Sequence, residues 1–209
     1  MAESIRIDEE SLLTGFPAPD PATPERLPRM HLGLLHAGLF KVFISGCLDR
    51  TGLAYDSLRP IFLDMVERVE DILERFPVRS RIRFTFNTCV IAALSAVASL
   101  CRDYDIRMRA LNLYRRVSWR EGVWDPQAHL IGESALIRME CAGADETGFI
   151  PPESRWVWSS GSWDMAQRKL LAEYTRVVPD ENGELVVVKM ELDIASHMKT
   201  PIPRWTGRD

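Results

Sequence analysis

At 209 residues and 46% apolar, the chain suits one domain with a real hydrophobic core. Its formal net charge of -4 at pH 7 has the wrong sign for a dedicated nucleic-acid surface, which would make the domain basic. Cys47, Cys89, Cys101 and Cys141 form no Cys-x2-Cys pair, so no zinc-finger pattern is present, and their apolar surroundings suit buried free thiols in a reducing compartment.

The N-terminal "MAESIRIDEE" is acidic and lacks the apolar core of a secretory signal. The longest apolar run, "CVIAALSAVASLC" (89–101), is 13 residues long, against the roughly 20 needed to span a bilayer. The expectation is an intracellular protein of nucleus or cytoplasm, with no membrane partner. Residues 1–30 end in "FPAPDPATPERLPR", whose five prolines predict an extended arm.

A single domain is expected over 31–194. "MHLGLLHAGLFKVFISGCL" (30–48) predicts a buried helix despite Gly33, Gly38 and Gly46, and "DRTG" breaks it. Next, Leu58, Ile61, Phe62, Met65, Val66, Val69, Ile72, Leu73 and Phe76 recur at three- and four-residue steps, with Asp64, Glu67, Glu70, Asp71 and Glu74 opposite. Asp56 is placed to cap this helix and Pro77 to end it. "VRSRIRFTF" (78–86) reads as extended. Residues 87–101 are apolar nearly all round and predict a fully buried helix. Asp103 then caps a helix with Ile106, Ala110, Leu113 and Val117 on one stripe, Leu111 and Tyr114 beside it, and Arg107, Arg109, Arg115 and Arg116 elsewhere.

"SWREGVWDPQAH" (118–129) is the most marked stretch. Gly122 reads as a helix stop, and Asp125-Pro126 as a start: a side-chain cap followed by a residue whose fixed φ suits the first turn. That helix runs to about Cys141, with Gly143 as its stop. After "IPPE" (150–153) the period becomes two. "SRWVWSS", "KLLAEYTRVV" and "ELVVVKMELDI" predict a three-stranded antiparallel meander turned at "DMAQ" and "DENG". Residues 195–209 read as a tail. The fold class is thus mainly α, an antiparallel helical bundle followed by a small β-meander (α+β).

Catalytic motifs are absent: no His-Glu-x-x-His, Gly-x-Ser-x-Gly, phosphate-binding loop or Gly-x-Gly-x-x-Gly occurs. No metal or cofactor is expected. His129 and Glu133, four apart, have the spacing of a base and its orienting carboxylate. On a helical wheel with His129 at zero, Glu133 and Glu140 fall at about 40° and 20°, while Leu130, Ile131, Ala135, Ile137 and Cys141 spread over about 80–240°. A solvated polar stripe is therefore the preferred reading. Arg138, at about 180°, lies among the apolar residues and needs an acceptor, either a carboxylate of the fold or a bound anion. His31 and His36 are five apart, which is not a one-face ligand spacing. These residues, with Asp49, Glu121 and Asp125, complete the catalytic candidates. Trp119, Trp124, Trp156 and Trp158 are candidates for an aromatic ligand pocket, or for packing of the meander on helices. Arg75 to Arg120 holds ten Arg and two Asp, or +8, leaving -12 elsewhere. The block either pairs with acidic segments such as Asp56–Glu74 or attracts an anion; internal pairing is preferred.

Three colinear segments resemble the C-terminal half of the fungal-specific regulatory domain of binuclear zinc-cluster transcription factors. One is "CLDRTGLAYDSLRPIFLDMVERVEDIL" (47–73), with a Tyr-Asp step before an amphipathic helix. Another is "SLCRDYDIRMRALNLYRRVSWREGVWDPQAHLIGESALIRME" (99–140), with a Cys-Arg-Asp step and an Arg-Glu-Gly-x-Trp-Asp corner. The third is "GFIPPESRWVWSSGSWDMAQRKLLAEYTRV" (148–177), with Ile-Pro-x-Glu-x-Arg leading into strands.

The resemblance implies that the corner is a folding device: Gly122 releases the chain, Asp125 caps, Trp124 anchors, and Arg120 and Glu121 close it with a charge-assisted bond. The family's DNA-reading cysteine cluster is absent from this sequence, so no zinc site or direct nucleic-acid contact is carried over. The expected function is a stand-alone regulatory or ligand-binding protein without a DNA-binding domain, binding an apolar small molecule. The alternative is a cyclase or isomerase of fungal secondary metabolism built on the same scaffold. A half-domain must re-cover the surface of its missing half, so a homodimer, or a pair with a sister regulator, is expected.

Overall fold

The apolar run after Cys89 becomes the hub of the molecule, for which the computed structural model describes residues 26–75, 84–85, 89–199 and 202. The elements are α1 (Arg26–Gly46), a 3-10 turn (Leu53–Leu58), α2 (Arg59–Arg75), β1 (Phe84–Thr85), α3 (Val90–Leu100), α4 (Tyr104–Tyr114), β2 (Arg120–Glu121), α5 (Pro126–Ala142), a short 3-10 turn (Pro152–Ser154), β3 (Trp156–Asp164), β4 (Lys169–Arg176), β5 (Val187–Asp193) and α6 (Ile194–Lys199). The class is α+β. Residues 1–25, Pro77, most of 78–86 and Trp205 lie outside the described residues.

α3 packs against α1, α2, α4 and α5. Its sequence, VIAALSAVASL, allows this: small side chains on most faces let four helices approach, and Ile91, Ala93, Leu94, Val97 and Ala98 are fully buried. Phe62, Met65, Val66, Val69 and Ile72 of α2 join this core, as do Ile106, Ala110, Leu111, Leu113 and Tyr114 of α4. At about 25 cal/mol per Å² of apolar surface removed from water, it is the main stabilising element.

β3, β4 and β5 form an antiparallel sheet in sequential order, with Trp158 opposite Tyr174 and Ala172 opposite Met190. Leu170, Ala172, Tyr174 and Leu192 make a second core with Ile131, Ala135 and Leu136 of α5. α5 is therefore covered on both sides, by helices and by sheet. Gly132 allows the close approach, since a Cβ there would stand 2.9 Å from the Trp158 ring.

Several sequence expectations are corrected. α1 starts at Arg26, so residues 26–30 belong to a helix, and Ile194–Lys199 is helical. α1 is not buried throughout: Leu35, Leu39 and Val42 face the core, while Phe40, Phe43, Ile44 and the following Leu48 are exposed. Asp56 does not cap α2, because it lies inside the 3-10 turn, which begins after Gly52 at φ 70°. Gly122 does not stop a helix either. α4 already ends at Tyr114, and Gly122 serves a later turn.

Candidate functional site

The tryptophan corner is built around a buried carboxylate. β2 pairs in parallel with β1, setting Glu121 beside Thr85. Glu121 and Trp124 then exchange backbone hydrogen bonds at 3.1 and 2.9 Å, and Gly122, at φ 57°, supplies the left-handed residue this tight reversal needs. Asp125 accepts from the Gln127 N–H at 2.9 Å and caps α5, as expected.

The expected bond between Arg120 and Glu121 does not form. Arg120 pairs with Asp125, and Glu121 turns inward. Its carboxylate is 2% exposed and accepts the backbone N–H groups of Cys89 (2.9 Å), Val90 (3.2 Å) and Ile91 (2.9 Å), plus Trp119 Nε1 (3.2 Å). Those amides open α3 and have no partners within their own helix, so an anion there satisfies them and complements the helix dipole. All of its acceptor capacity is consumed in this way. Glu121 and Asp125 do not face each other across a cleft.

His129 and Glu133 do come together, but inward. His129 Nδ1 lies 3.0 Å from Glu133 Oε1, and the Glu133 side chain is 0% exposed. The His129 ring stacks on Trp124 at 4.9 Å and on Tyr114 at 6.1 Å, and meets Trp158 edge-on at 5.1 Å. Burial, then the Glu133 charge, holds the Tyr114 hydroxyl well above the usual tyrosine range. The expected solvated stripe is thus an interior one: Glu140 is buried as well, between Arg107 of α4 and the start of β3.

The remaining candidates are dispersed. His31 is half-buried on α1, and the exposed His36 contacts its own helix at Leu32 O, 2.8 Å away. Asp49 accepts from Thr51 Oγ1 (2.6 Å), Thr51 N (2.8 Å) and Ala54 N (2.6 Å), and the Thr51 hydroxyl and these amides hold its pKa at about 2. Arg138 is half-buried, and burial lowers its pKa. Trp119 packs in the helical core, Trp124 and Trp158 flank His129, and Trp156 packs with the sheet. Among the described residues no group of three or more His, Cys, Asp or Glu is arranged to hold a metal.

A different place collects the segments that carry the family resemblance. Cys101 leaves α3 extended, so Arg102 falls in the step before Asp103, which caps α4 through the Ile106 N–H at 3.0 Å. Arg102 Nη2 reaches Glu140 at 3.1 Å, and Arg107 Nη2 reaches the other oxygen at 2.5 Å. Glu140 Oε1 also accepts the Trp156 N–H at 3.0 Å, tying α5 to the start of β3. Beside this layer, the fully buried Arg155 donates to Ile150 O (2.8 Å), Gly52 O (2.5 Å) and Asp56 (2.7 Å). Part of the basic block is thus absorbed internally, as expected, with Arg109 on Glu70 at 2.7 Å.

A cavity of about 310 Å³ opens here, lined by Tyr55, Asp56, Arg59, Cys101, Arg102, Asp103, Gly148, Phe149 and Ile150. A second, of about 200 Å³, shares Arg102, Gly148 and Ile150. Among the described residues no tryptophan lines either. The Tyr-Asp, Cys-Arg-Asp and Ile-Pro-x-Glu-x-Arg steps, far apart in sequence, all contribute to this region. Arg102 is not among the site candidates of the sequence, although the Cys-Arg-Asp step of the resemblance contains it and is the available signal.

Among known proteins, the chain is similar to the aspercryptin biosynthesis cluster-specific transcription regulator of Emericella nidulans, 40% identical over 101 residues. The match covers 45% of this chain and only 16% of that regulator. No family model matches, and no solved structure matches. This similarity identifies a transcription-regulator-like region in the chain.

Proposed function

We propose that the protein is a transcription-factor-like regulatory protein of a fungal biosynthetic gene set, acting in the nucleus, whose Arg102 cavity takes a small molecule. The observation that carries the reading is the convergence of the resembling segments on that one cavity, joined to 40% identity with a cluster-specific regulator. The segments resemble the fungal-specific regulatory domain of binuclear zinc-cluster factors, and the proposed action needs no DNA contact by this chain itself. It works through partners. The exposed Phe40, Phe43, Ile44 and Leu48 lie at helical spacing along α1 and just beyond it, an apolar stripe suited to a second copy of the chain. Light scattering at micromolar concentration is expected to give a dimer, and Ile44→Asp a monomer; a monomeric wild type contradicts the dimer.

A second reading, an acid/base enzyme such as a cyclase or isomerase, is favoured by the His129–Glu133 pair under its aromatic walls. Deleting the coding sequence and measuring transcripts and metabolites together separates the two. A regulator lowers or raises the transcripts of a defined gene set. An enzyme changes one metabolite step while those transcripts hold steady, and that result would replace the regulatory reading.

A further inference from the structure

We infer that the cavity beside Arg102 binds a small organic monoanion, a carboxylate carried on an apolar body. The inference rests on the ligand-binding reading above and adds the chemical class of the ligand.

The charge balance around the cavity points to an anion. Arg59, Arg102, Arg107 and Arg155 face Asp56, Asp103 and Glu140. Arg59 is matched by Asp103 and Arg155 by Asp56, each at 2.7 Å, so Arg102 and Arg107 share the single charge of Glu140. Among the described residues, the buried cations Arg102, Arg107 and Arg155 thus meet two carboxylates, Glu140 and Asp56, which leaves one positive charge over.

The hydrogen-bond inventory points to the same side chain. The Arg102 side chain is 10% exposed; Nη1 donates to Ser99 O at 2.7 Å and Nη2 to Glu140, while the buried Nε–H has no acceptor among the described residues. A buried cation with an unused donor is costly unless charge and acceptor arrive together. A carboxylate in the cavity supplies the missing counter-charge, and a guanidinium is the side-chain group best matched to it. Burial, opposed by Glu140 and reinforced by Arg107 and Arg155, pushes the Arg102 pKa down to about 10, so the group remains a cation at neutral pH.

The rest of the lining sets the class. Asp56 and Asp103 share the wall, and their charges disfavour a phosphate dianion where only one positive charge is unmet. Tyr55, Cys101, Phe149 and Ile150 offer apolar contact for the body of the molecule. The second cavity shares Arg102, Gly148 and Ile150 with the first and adds the apolar Ile137 and Cys141.

The test is titration calorimetry on the full chain with hexanoate, its neutral isostere hexanamide, and inorganic phosphate. Hexanoate is expected to bind with a Kd of about 1 mM or tighter, and hexanamide about tenfold more weakly or worse. Arg102→Met should reduce hexanoate to the hexanamide level, with circular dichroism reporting the fold. Should that variant not fold, Phe149→Ala serves instead: it weakens acid and amide alike and leaves their ratio intact. Equal binding of acid and amide overturns the anion class and leaves a ligand cavity. Phosphate binding tighter than hexanoate overturns the monocarboxylate. No binding by any of the three overturns both the class and the ligand-binding reading.

Discussion

The Glu121 carboxylate accepts the Ile91 backbone N–H at 2.9 Å, joining a corner of the chain to the start of a helix thirty residues earlier. α3 is too apolar to cap itself, and the Cys89 side chain at its N-cap makes no capping hydrogen bond, so the cap comes from elsewhere. Glu121→Ala would strand three backbone donors and the Trp119 indole N–H, at about 1–3 kcal/mol for each buried group left unsatisfied. A loss of at least about 3 kcal/mol in urea unfolding is expected, with Glu121→Gln intermediate. A change below about 0.5 kcal/mol would remove Glu121 from this role.

Two glycines are held for different reasons. Gly122 sits at φ 57°, so Gly122→Ala should lose about 1–2 kcal/mol, and Gly122→Asn less. Gly132 has ordinary helical geometry, and its alanine variant instead drives a methyl against Trp158. Tryptophan fluorescence should therefore shift in Gly132→Ala as the Trp158 ring is displaced.

The cysteines should differ sharply in reactivity. Burial, then the Glu121 charge, pushes the Cys89 thiol up to about 12, and burial pushes Cys101 to about 11, whereas Cys47 is exposed. The thiolate is the reactive form. An aromatic disulfide reagent at pH 8 should titrate Cys47 quickly in the monomeric Ile44→Asp variant, with Cys89 and Cys101 reacting only after denaturant. Rapid native labelling of Cys89 would mean that the α3 N-terminus opens.

Asp49 predicts a pH dependence. Its folded pKa of about 2 lies below the ordinary 3.8, so its contribution is complete above the unfolded value and is lost as pH falls from about 4 toward 2. Wild type should lose stability over that window, and Asp49→Asn should lose less of it there. Parallel curves for the two proteins would show that Asp49 does not titrate with folding.

Much of the fold was legible from the chain. The three- and four-residue steps of α2, the Asp103 and Asp125 caps, and the switch to period two after Pro151 depend on local chemistry that the sequence states directly. The failures share one cause, which is a neighbour that periodicity cannot see. The wheel of α5 put His129, Glu133 and Glu140 toward water, yet Leu136, at about -20° on that wheel, shares their face and is fully buried. That leucine was the available warning. Arg107 reads as lying on the faces of α4 away from its apolar stripe, and only the Glu140 carboxylate and the Ala98 carbonyl make its burial tolerable. The Arg102 cavity depends on contacts among segments about fifty residues apart, which no local pattern encodes.

Under the proposed function, transcription responds to an acid held at Arg102. Its most direct measurement is a reporter gene driven by the chain fused to a heterologous DNA-binding domain, read with and without a cell-permeant monocarboxylic acid. The wild-type fusion should change reporter output relative to the DNA-binding domain alone, and the acid should modulate that output in wild type but not in Arg102→Met. A folded, expressed fusion whose output matches the bare DNA-binding domain under both conditions would contradict the claim.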